Sequence, residues 1–240
     1  MKPYFEEAGI TIYHADCRLI LPHLPKVDAV ITDPPYGIDF DTDYRRFTSG
    51  FNIERKGHDP VHGDSEPFDP QPWLSFKTVV LWGANCFSSR LPLGSWLVWD
   101  KRFANGAAFL ADAEVAWMKG GHGIYLYSVT QQGCIRPEPI QHPTQKPVAV
   151  MEWCIAKSKA QGTILDPFMG SGTTLVAARN LGRRAIGIEI CREYCDIAIR
   201  RLEQQVLPFS EGNQLQERES LTQLPMFGAV ASDTDREEVS

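Results

Sequence analysis

The 240-residue chain lacks several features that would place it in other classes of protein. It contains no apolar run near the roughly 18 residues that a membrane-spanning helix needs, so we expect no membrane segment. Its N-terminus lacks the apolar stretch of a signal peptide, and its six cysteines include no Cys-x-x-Cys pair. These absences predict a cytoplasmic protein with free thiols, without disulfide staples and without a bound metal.

The chain is also short of positive charge, which at first argues against a nucleic-acid partner. Its formal net charge is −6, from 24 basic and 30 acidic residues. Seven of the acidic residues but only two of the basic ones lie at or beyond Glu211, so the preceding residues carry 23 acids and 22 bases. Net charge therefore does not decide whether the protein binds DNA.

Short apolar runs rich in β-branched residues alternate with amphipathic segments over most of the chain. This alternation predicts an α/β fold with a Rossmann-like, doubly wound and mostly parallel sheet. We expect residues 1–207 to form one domain and the acidic, aperiodic residues 208–240 to form a disordered tail. The expected strands lie near 10–13, 27–32, 78–82, 95–99, 114–118, 124–127, 163–166 and 185–190, and the expected helices near 147–158, 173–180 and 192–205.

The strand over 27–32 ends in Asp33-Pro34-Pro35-Tyr36, the most informative sequence in the chain. Neither proline can donate a hydrogen bond to a sheet ladder, so the strand stops there. The tetrapeptide places a carboxylate, a rigid carbonyl and an aromatic ring at the carboxyl edge of the sheet, where ligands bind in open α/β folds. A planar base with an exocyclic amine could use two acceptors and a stacking ring. The alternative is a plain Pro-Pro turn capped by an aspartate.

A second ligand-binding pattern runs from the strand over 163–166 through Gly170-x-Gly172 into a helix. Glycines let the backbone approach a ligand closely, and the first helical turn offers free N–H groups. Glu189 ends the following strand, 19 residues after Gly170, where a carboxylate typically binds ribose hydroxyls. Leu175 replaces the third glycine of the dinucleotide fingerprint and no Gly-Lys-Ser/Thr occurs, so neither NAD nor a P-loop is supported. A tight turn beside an incidental glutamate is the alternative.

Together these motifs resemble those of the β group of amino-methylating DNA methyltransferases, which use S-adenosylmethionine. In that group the Asp-Pro-Pro-Tyr motif precedes the glycine loop, as it does here, and a His-Pro-Thr-Gln-Lys-Pro segment, here 142–147, precedes the cofactor strand. Asp16 matches a short acidic motif, although Ala15 replaces the usual glycine before it. The resemblance covers about residues 10–206 and implies the S-adenosylmethionine methyltransferase form of the fold.

The resemblance implies methyl transfer to N6 of a flipped-out adenine in double-stranded DNA, as in restriction–modification systems. Asp33, Pro34, Pro35 and Tyr36 would be the catalytic set: Asp33 and the Pro34 carbonyl would accept the N–H bonds of the amine, and Tyr36 would stack on the base. Aspartate in the first position resembles adenine enzymes, whereas serine is more usual for cytosine-N4. Carbon-5 methylation would need a Pro-Cys sequence, which the chain lacks. Cytosine-N4 methylation, adenine-N6 methylation of RNA and an inactive DNA- or clamp-binding adaptor are the alternatives.

The resemblance also implies a set of cofactor contacts, in which Glu189 binds the ribose and the glycine loop meets the methionine end. The alternative for Lys146 is a surface lysine at the start of a helix. The expected cofactor-binding residues are Asp16, Thr144, Lys146, Asp166, Phe168, Gly170, Gly172, Thr173 and Glu189.

Two further segments suggest contacts with partners. Only about residues 119–141 are available for target recognition, so the polar stretch 37–72 could share this work; its basic residues are Arg45, Arg46, Arg55 and Lys56. In the tail, a short segment resembles the peptide with which bacterial proteins dock on the replication sliding clamp: Gln223, Leu224, Met226 and Phe227. The alternative is that these side chains pack on the protein's own surface. β-group relatives often pair as homodimers, and the sequence identifies neither a dimer face nor a target site.

Overall fold

The computed structural model describes residues 2–40, 62–102, 111–129 and 145–204. No helix in these ranges combines the length and apolar character needed to cross a membrane. In chain order the elements are β1 (Phe5–Glu7), β2 (Ile10–His14), α1 (Cys17–Ile20), β3 (Ala29–Thr32), β4 (Thr78–Trp82), β5 (Gly94–Asp100), β6 (Ala113–Ser128), α2 (Val148–Ser158), β7 (Ile164–Asp166), α3 (Thr173–Asn180), β8 (Ala185–Glu189) and α4 (Arg192–Gln204).

The strands form one sheet in the order β1-β2-β8-β7-β3-β4-β6-β5. From β2 to β4 in this order, neighbouring strands run parallel, whereas β1 pairs antiparallel with β2 and β6 antiparallel with β4. The predicted α/β fold with a mostly parallel sheet is confirmed. Because the carboxyl ends of parallel strands meet at one edge, the residues that follow β3, β7 and β8 lie beside one another.

Both faces of the central strands are buried, which explains their nearly continuous apolar sequences. Side chains alternate across the sheet: Ile31 of β3 joins the core under α2, α3 and α4, while Val30 joins a second core on the opposite face. The second core includes Trp73, which lies in a short 3-10 turn before β4, and Phe87, which lies between two such turns after β4. Burial from both sides holds β3, and therefore the start of the segment that follows it, in a fixed position.

β6 differs from the prediction of two separate strands at 114–118 and 124–127. The structure joins them into one bent strand, with Gly120 and Gly121 in the left-handed region at φ of 83° and 68°. The first half pairs with β5 in opposite order, as Leu97 with Ala116, whereas the second half runs parallel to β5, as Leu97 with Tyr125. The glycines therefore carry the chain from one side of β5 to the other without ending the strand.

Two short elements, β1 and α1, were absent from the prediction. They span three and four residues, too few for a periodic pattern to indicate them. α1 starts where the Asp16 side chain accepts a hydrogen bond from the Arg18 backbone N–H, which is ordinary N-cap geometry. Asp16 therefore has a local structural function at the carboxyl end of β2.

Candidate active site

A cleft opens at the carboxyl edge of the sheet, beside the ends of β3 and β7. It brings Asp33 together with five of the predicted cofactor-binding residues, which are distant in sequence. The lining residues are Asp33, Gln145, Lys146, Met151, Asp166, Phe168, Met169, Gly170, Ser171, Thr173 and Thr174. The two motifs found in the sequence thus face one cavity.

Two donors hold the Asp33 carboxylate in one orientation. The Tyr36 hydroxyl donates to Oδ1 at 2.5 Å, and the Lys146 ammonium donates to Oδ2 at 2.6 Å. Burial raises the pKa of Asp33, and the Lys146 charge opposes this effect. Burial and the Asp33 charge raise the pKa of Tyr36 well above its usual value, so its hydroxyl stays protonated and can donate. Asp33 keeps 17% of its side chain exposed, enough for a further donor to approach from the cleft.

Lys146 lies against Asp33 and Tyr36 and is not a surface lysine, because its side chain is only 5% exposed. Its Nζ contacts Asp33, the Tyr36 hydroxyl oxygen at 3.2 Å and Glu114 Oε2 at 3.0 Å. Burial alone would lower the pKa of Lys146, but the Asp33 and Glu114 carboxylates outweigh it and hold that pKa well above its usual value. The residue therefore stays charged beside Asp33, while its predicted contact with the cofactor remains a prediction.

No sequence pattern indicates Glu114 as a site residue. It lies near the start of β6, where its second oxygen, Oε1, accepts a hydrogen bond from the Lys101 ammonium at 3.0 Å. Burial would raise the pKa of Glu114, but Lys146 and Lys101 together lower it to about 2. The result is a row of alternating charges, Lys101, Glu114, Lys146 and Asp33, which we call the ion row. Its members come from distant parts of the sequence, and only the fold of the sheet brings them together.

The glycine loop forms the other wall of the cleft. Gly172 caps α3 with φ of 79°, and a Cβ atom there would lie 2.6 Å from the Cβ of Ala198 in α4. Glycine is therefore required both by the backbone conformation and by the close approach of α4. Gly170 donates its backbone N–H to Glu189 Oε2 at 2.9 Å, so the loop is tied to the end of β8.

Backbone N–H groups fix the orientation of the Glu189 carboxylate. Its other oxygen, Oε1, accepts the backbone N–H of Cys191 at 2.8 Å, and burial raises the pKa of its carboxyl group. Asp16 lies at the same edge of the sheet, since the neighbouring Ala15 N–H donates to the Glu189 carbonyl at 3.0 Å. The Asp16 carboxylate is paired with the Arg18 guanidinium, which lowers its pKa, and it does not line the cleft.

Asp166 connects the two walls of the cleft. It is 2% exposed, and its Oδ1 accepts hydrogen bonds from the Thr32 hydroxyl at 2.6 Å and from the Phe168 backbone N–H at 3.1 Å. Thr32 directly precedes Asp33, so the end of β7 is joined to the Asp-Pro-Pro-Tyr segment. Burial raises the pKa of Asp166 to about 6.

Phe168 packs edge-on against two aromatic side chains of the segment that precedes β4. Its ring centroid lies 5.6 Å from that of Trp73 and 6.0 Å from that of Phe68. Thr173, by contrast, lies at the first turn of α3, where its hydroxyl accepts a hydrogen bond from Arg201 Nη1 at 3.0 Å. Both predicted contacts therefore line the cleft, one as an apolar wall and the other as part of a polar one.

Sequence reasoning also missed two buried residues that hydrogen-bond to the segments lining or adjoining the cleft. Arg201 is buried, and its Nη1 donates to the carbonyl of Ser171 at 2.8 Å as well as to Thr173. On an amphipathic helix an arginine is expected to be exposed, so no sequence signal indicated this contact. Asp64 is also buried, and it accepts the backbone N–H groups of Gly37 at 2.8 Å and Phe40 at 2.7 Å. It therefore fixes the segment just after Tyr36.

Several predicted residues lie outside the described ranges, and their functions stay predictions. Thr144 directly precedes a described segment, and the remainder belong to the polar stretch 37–72 or to the tail. They are Arg45, Arg46, Arg55, Lys56, Gln223, Leu224, Met226 and Phe227.

Gly83, at the end of β4, lies under the ring of Tyr36. Its φ is 68°, and a Cβ atom there would overlap that ring. We expect Gly83→Ala to cost about 1–3 kcal/mol of unfolding free energy and to lower enzymatic activity, because Tyr36 must move away from Asp33. Gly182→Ala is the matched control: its φ is 64° but no atom lies near its added Cβ. Chemical denaturation measures the loss of stability, and an activity assay measures the loss of function. Wild-type activity in both variants would contradict the expectation.

Comparisons with known proteins agree with this geometry. A DNA methylase family model, for N6 and N4 methylation, matches residues 124–200. The type II methyltransferase M.ScaI of Streptomyces caespitosus is 30% identical over 258 residues, covering 84% of each chain. M2.LlaDCHI of Lactococcus lactis subsp. cremoris, also a type II methyltransferase, is 27% identical and covers 84% of this chain and 92% of its own.

Two solved structures are similar in fold. The M1.HpyAVI–SAM complex has a TM-score of 0.51 and 26% identity, and it covers 80% of this chain and 98% of its own. PvuII DNA methyltransferase, which is cytosine-N4-specific, has a TM-score of 0.53 and 14% identity, with 90% and 93% coverage. The second likeness concerns the fold alone.

The fold and the cleft define an S-adenosylmethionine-dependent methyltransferase, with a carboxylate motif on one wall and a glycine loop on the other. Within this class the chain belongs to the DNA amino-methyltransferases, the family that includes these type II enzymes. Its substrate is DNA, and the methyl group goes to an exocyclic amine of adenine or cytosine.

Proposed function

We propose that the protein methylates N6 of adenine in double-stranded DNA. The observation that carries the proposal is the position of the Asp33 carboxylate, in the same cleft as the glycine loop and fixed by Tyr36 and Lys146. An adenine amine is a poor nucleophile because its lone pair is delocalised into the ring. Acceptors that draw its two N–H bonds out of the ring plane would localise that lone pair on nitrogen.

The residues present fit S-adenosylmethionine. Glu189 offers a carboxylate already held by the Gly170 and Cys191 N–H groups, and the glycine loop and the first turn of α3 line the cleft through Gly170, Ser171 and Thr173. When bound, the cofactor supplies a methyl group on a positively charged sulfur. We assign the ribose hydroxyls to Glu189 and the methionine end to the wall formed by Asp166, Phe168 and the loop.

The acceptor amine is assigned to Asp33 and Pro34. The Asp33 carboxylate and the Pro34 carbonyl would each accept one N–H bond, which orients the nitrogen lone pair towards the methyl group. Nitrogen would bond to the methyl carbon as the carbon–sulfur bond breaks, the sulfur would leave as a neutral thioether, and the nitrogen would afterwards release a proton to water. Most of the rate gain comes from positioning and from fixed electrostatics. Because Asp33 is mostly buried, the target base has to leave the helix to reach it.

The leading aspartate supports adenine over cytosine, because a serine in this position is more usual among the cytosine-N4 relatives. The chemistry itself permits either base, since both carry an exocyclic amine that the same two acceptors could bind. An RNA adenine is the other alternative substrate.

Methyl transfer from labelled S-adenosylmethionine to matched nucleic acids tests the proposal. The substrates are a long unmethylated duplex DNA, an RNA duplex of the same sequence, and DNA in which 2-aminopurine replaces adenine and removes the N6 amine. We expect label only in the unmodified DNA. Label of equal intensity in the RNA duplex, or in DNA without N6 amines, would contradict the proposal.

Cofactor affinity is expected to depend on pH through Asp166. The pKa of about 6 means that this group is ionised at neutral pH and takes up a proton as pH falls through 6. Only the ionised form attracts the ammonium of the methionine end, so the Kd should rise by about tenfold per pH unit below 6.

Calorimetric titration between pH 7.5 and 5 measures this dependence, with Asp166→Asn as the control. Glu189 also has a raised pKa, so any slope that persists in the variant belongs to other groups. A flat profile in the wild type, or an equal slope in Asp166→Asn, would show that Asp166 does not face the cofactor's charge.

A further inference from the structure

The ion row contains one residue, Glu114, that has no place in the chemistry described above. Its two oxygens contact different ammonium groups, Lys146 at 3.0 Å and Lys101 at 3.0 Å, and 32% of its side chain is exposed. Lys146 in turn contacts two carboxylates, those of Asp33 and Glu114. The positive charge of Lys146 therefore interacts with both Glu114 and Asp33, and not with Asp33 alone.

We propose that Glu114 is a positioning residue for methyl transfer, which binds the Lys146 ammonium through a second ion pair and so keeps the Asp33 carboxylate available to the target amine. The role rests on the proposed function of Asp33. Glu114 touches neither substrate in this scheme and acts only through Lys146.

The physical reason is competition for the oxygens of Asp33. A buried ammonium with one carboxylate as its partner forms a short, strong pair that occupies acceptor sites and makes the carboxylate less basic. A second carboxylate shares the charge of the ammonium and adds a negative charge nearby; here the ammonium lies 2.6 Å from Asp33 and 3.0 Å from Glu114. In agreement, the charge of Glu114 raises the pKa of Asp33, whereas that of Lys146 lowers it.

The other groups that face Asp33 do not replace Glu114. The Tyr36 hydroxyl is protonated and donates to Asp33, and Asp166 is bound to Thr32 and Phe168 on the β7 side. Lys101 does not contact Asp33; it anchors the far oxygen of Glu114 from the end of β5. Among the described ion pairs of Lys146, Glu114 is thus the one carboxylate other than Asp33.

Glu114→Gln tests the proposal because it removes one charge and keeps the size of the side chain. We expect the single-turnover rate of methyl transfer at saturating cofactor to fall by about tenfold or more, since the Lys146 charge then acts on Asp33 alone. The acid limb of the rate profile, which requires ionised Asp33, should shift to lower pH by about one unit. The Kd for S-adenosylmethionine should stay within about twofold, because Glu114 does not line the cleft.

Two further variants separate positioning from a general effect on the fold. Glu114→Asp should restore the wild-type acid limb, at least in part, because it restores the charge. Glu152→Gln alters a partly exposed glutamate of α2 that is bound to Asn180. It should leave both the rate of transfer and the acid side of its pH profile unchanged. A Glu114→Gln protein that is less stable but keeps the wild-type acid limb has lost a structural contact only, and that result overturns the proposal.

The outcome for Asp33 distinguishes failure of this inference from failure of the proposed function. If Asp33→Asn is inactive while Glu114→Gln transfers methyl groups at the wild-type rate with the wild-type pH profile, only the role of Glu114 is wrong. If Asp33→Asn is fully active, the proposed function of Asp33 is wrong and the role of Glu114 fails with it.

Discussion

Replacing Asp33 with asparagine is expected to lower the single-turnover rate of methyl transfer by about three orders of magnitude, with cofactor affinity within a few-fold of wild type. The amide keeps one oxygen acceptor but turns an N–H group towards one of the two donors, Tyr36 or Lys146, that now bind the carboxylate. It also loses the negative charge that stabilises a nitrogen becoming positive. Rapid-quench measurements with saturating DNA and cofactor give the rate, and calorimetry gives the affinity.

Asp100→Asn is the matched control for this substitution. Asp100 ends β5 and pairs with Arg102 on the surface, so the same change of carboxylate to amide occurs outside the cleft. It should leave transfer unchanged. Full activity in Asp33→Asn would remove the mechanism, whereas a loss of affinity as large as the loss of rate would place Asp33 on the cofactor.

Glu189→Ala is expected to raise the Kd for S-adenosylmethionine by about 10- to 100-fold, which corresponds to one or two charge-assisted hydrogen bonds. The substitution removes the proposed ribose contact and also frees the Gly170 N–H that the carboxylate now binds. At saturating cofactor the rate of transfer should recover to within about tenfold of wild type. The change should therefore be seen mainly in affinity.

Glu193→Ala provides the control, because Glu193 is an exposed acidic residue in the first turn of α4, close to Glu189 in sequence. Its Kd should equal that of the wild type. An unchanged Kd in Glu189→Ala would contradict the assignment of Glu189 to the cofactor, and a loss of rate without a loss of affinity would assign it to the acceptor side.

The parts of the site that sequence could predict are those in which a local motif meets a strand end. Asp33 and Gly170 each follow a short apolar strand, and parallel pairing of β3 with β7 brings both to one edge. Propensity, proline chemistry and the position of the glycines were sufficient for this. The same local information placed Glu189 at the end of β8.

The ion row could not be predicted in this way. Lys101, Glu114 and Lys146 meet because β6 lies between β4 and β5 in the sheet, against the order of the chain. Nothing in the residues around Glu114 distinguishes it from any other charged residue of a strand. Arg201 illustrates the same limit, because an arginine on an amphipathic helix is expected on the surface, whereas here it supports the glycine loop.

Analysis of the methylated nucleosides is the most direct test of the proposed activity. Long unmethylated DNA is treated with the wild type and with Asp33→Asn, digested, and analysed by mass spectrometry. The expected result is N6-methyladenine from the wild type, no N4-methylcytosine, and neither product from the variant. N4-methylcytosine as the main product, or N6-methyladenine at wild-type levels from Asp33→Asn, would contradict the assignment of an adenine amine to Asp33.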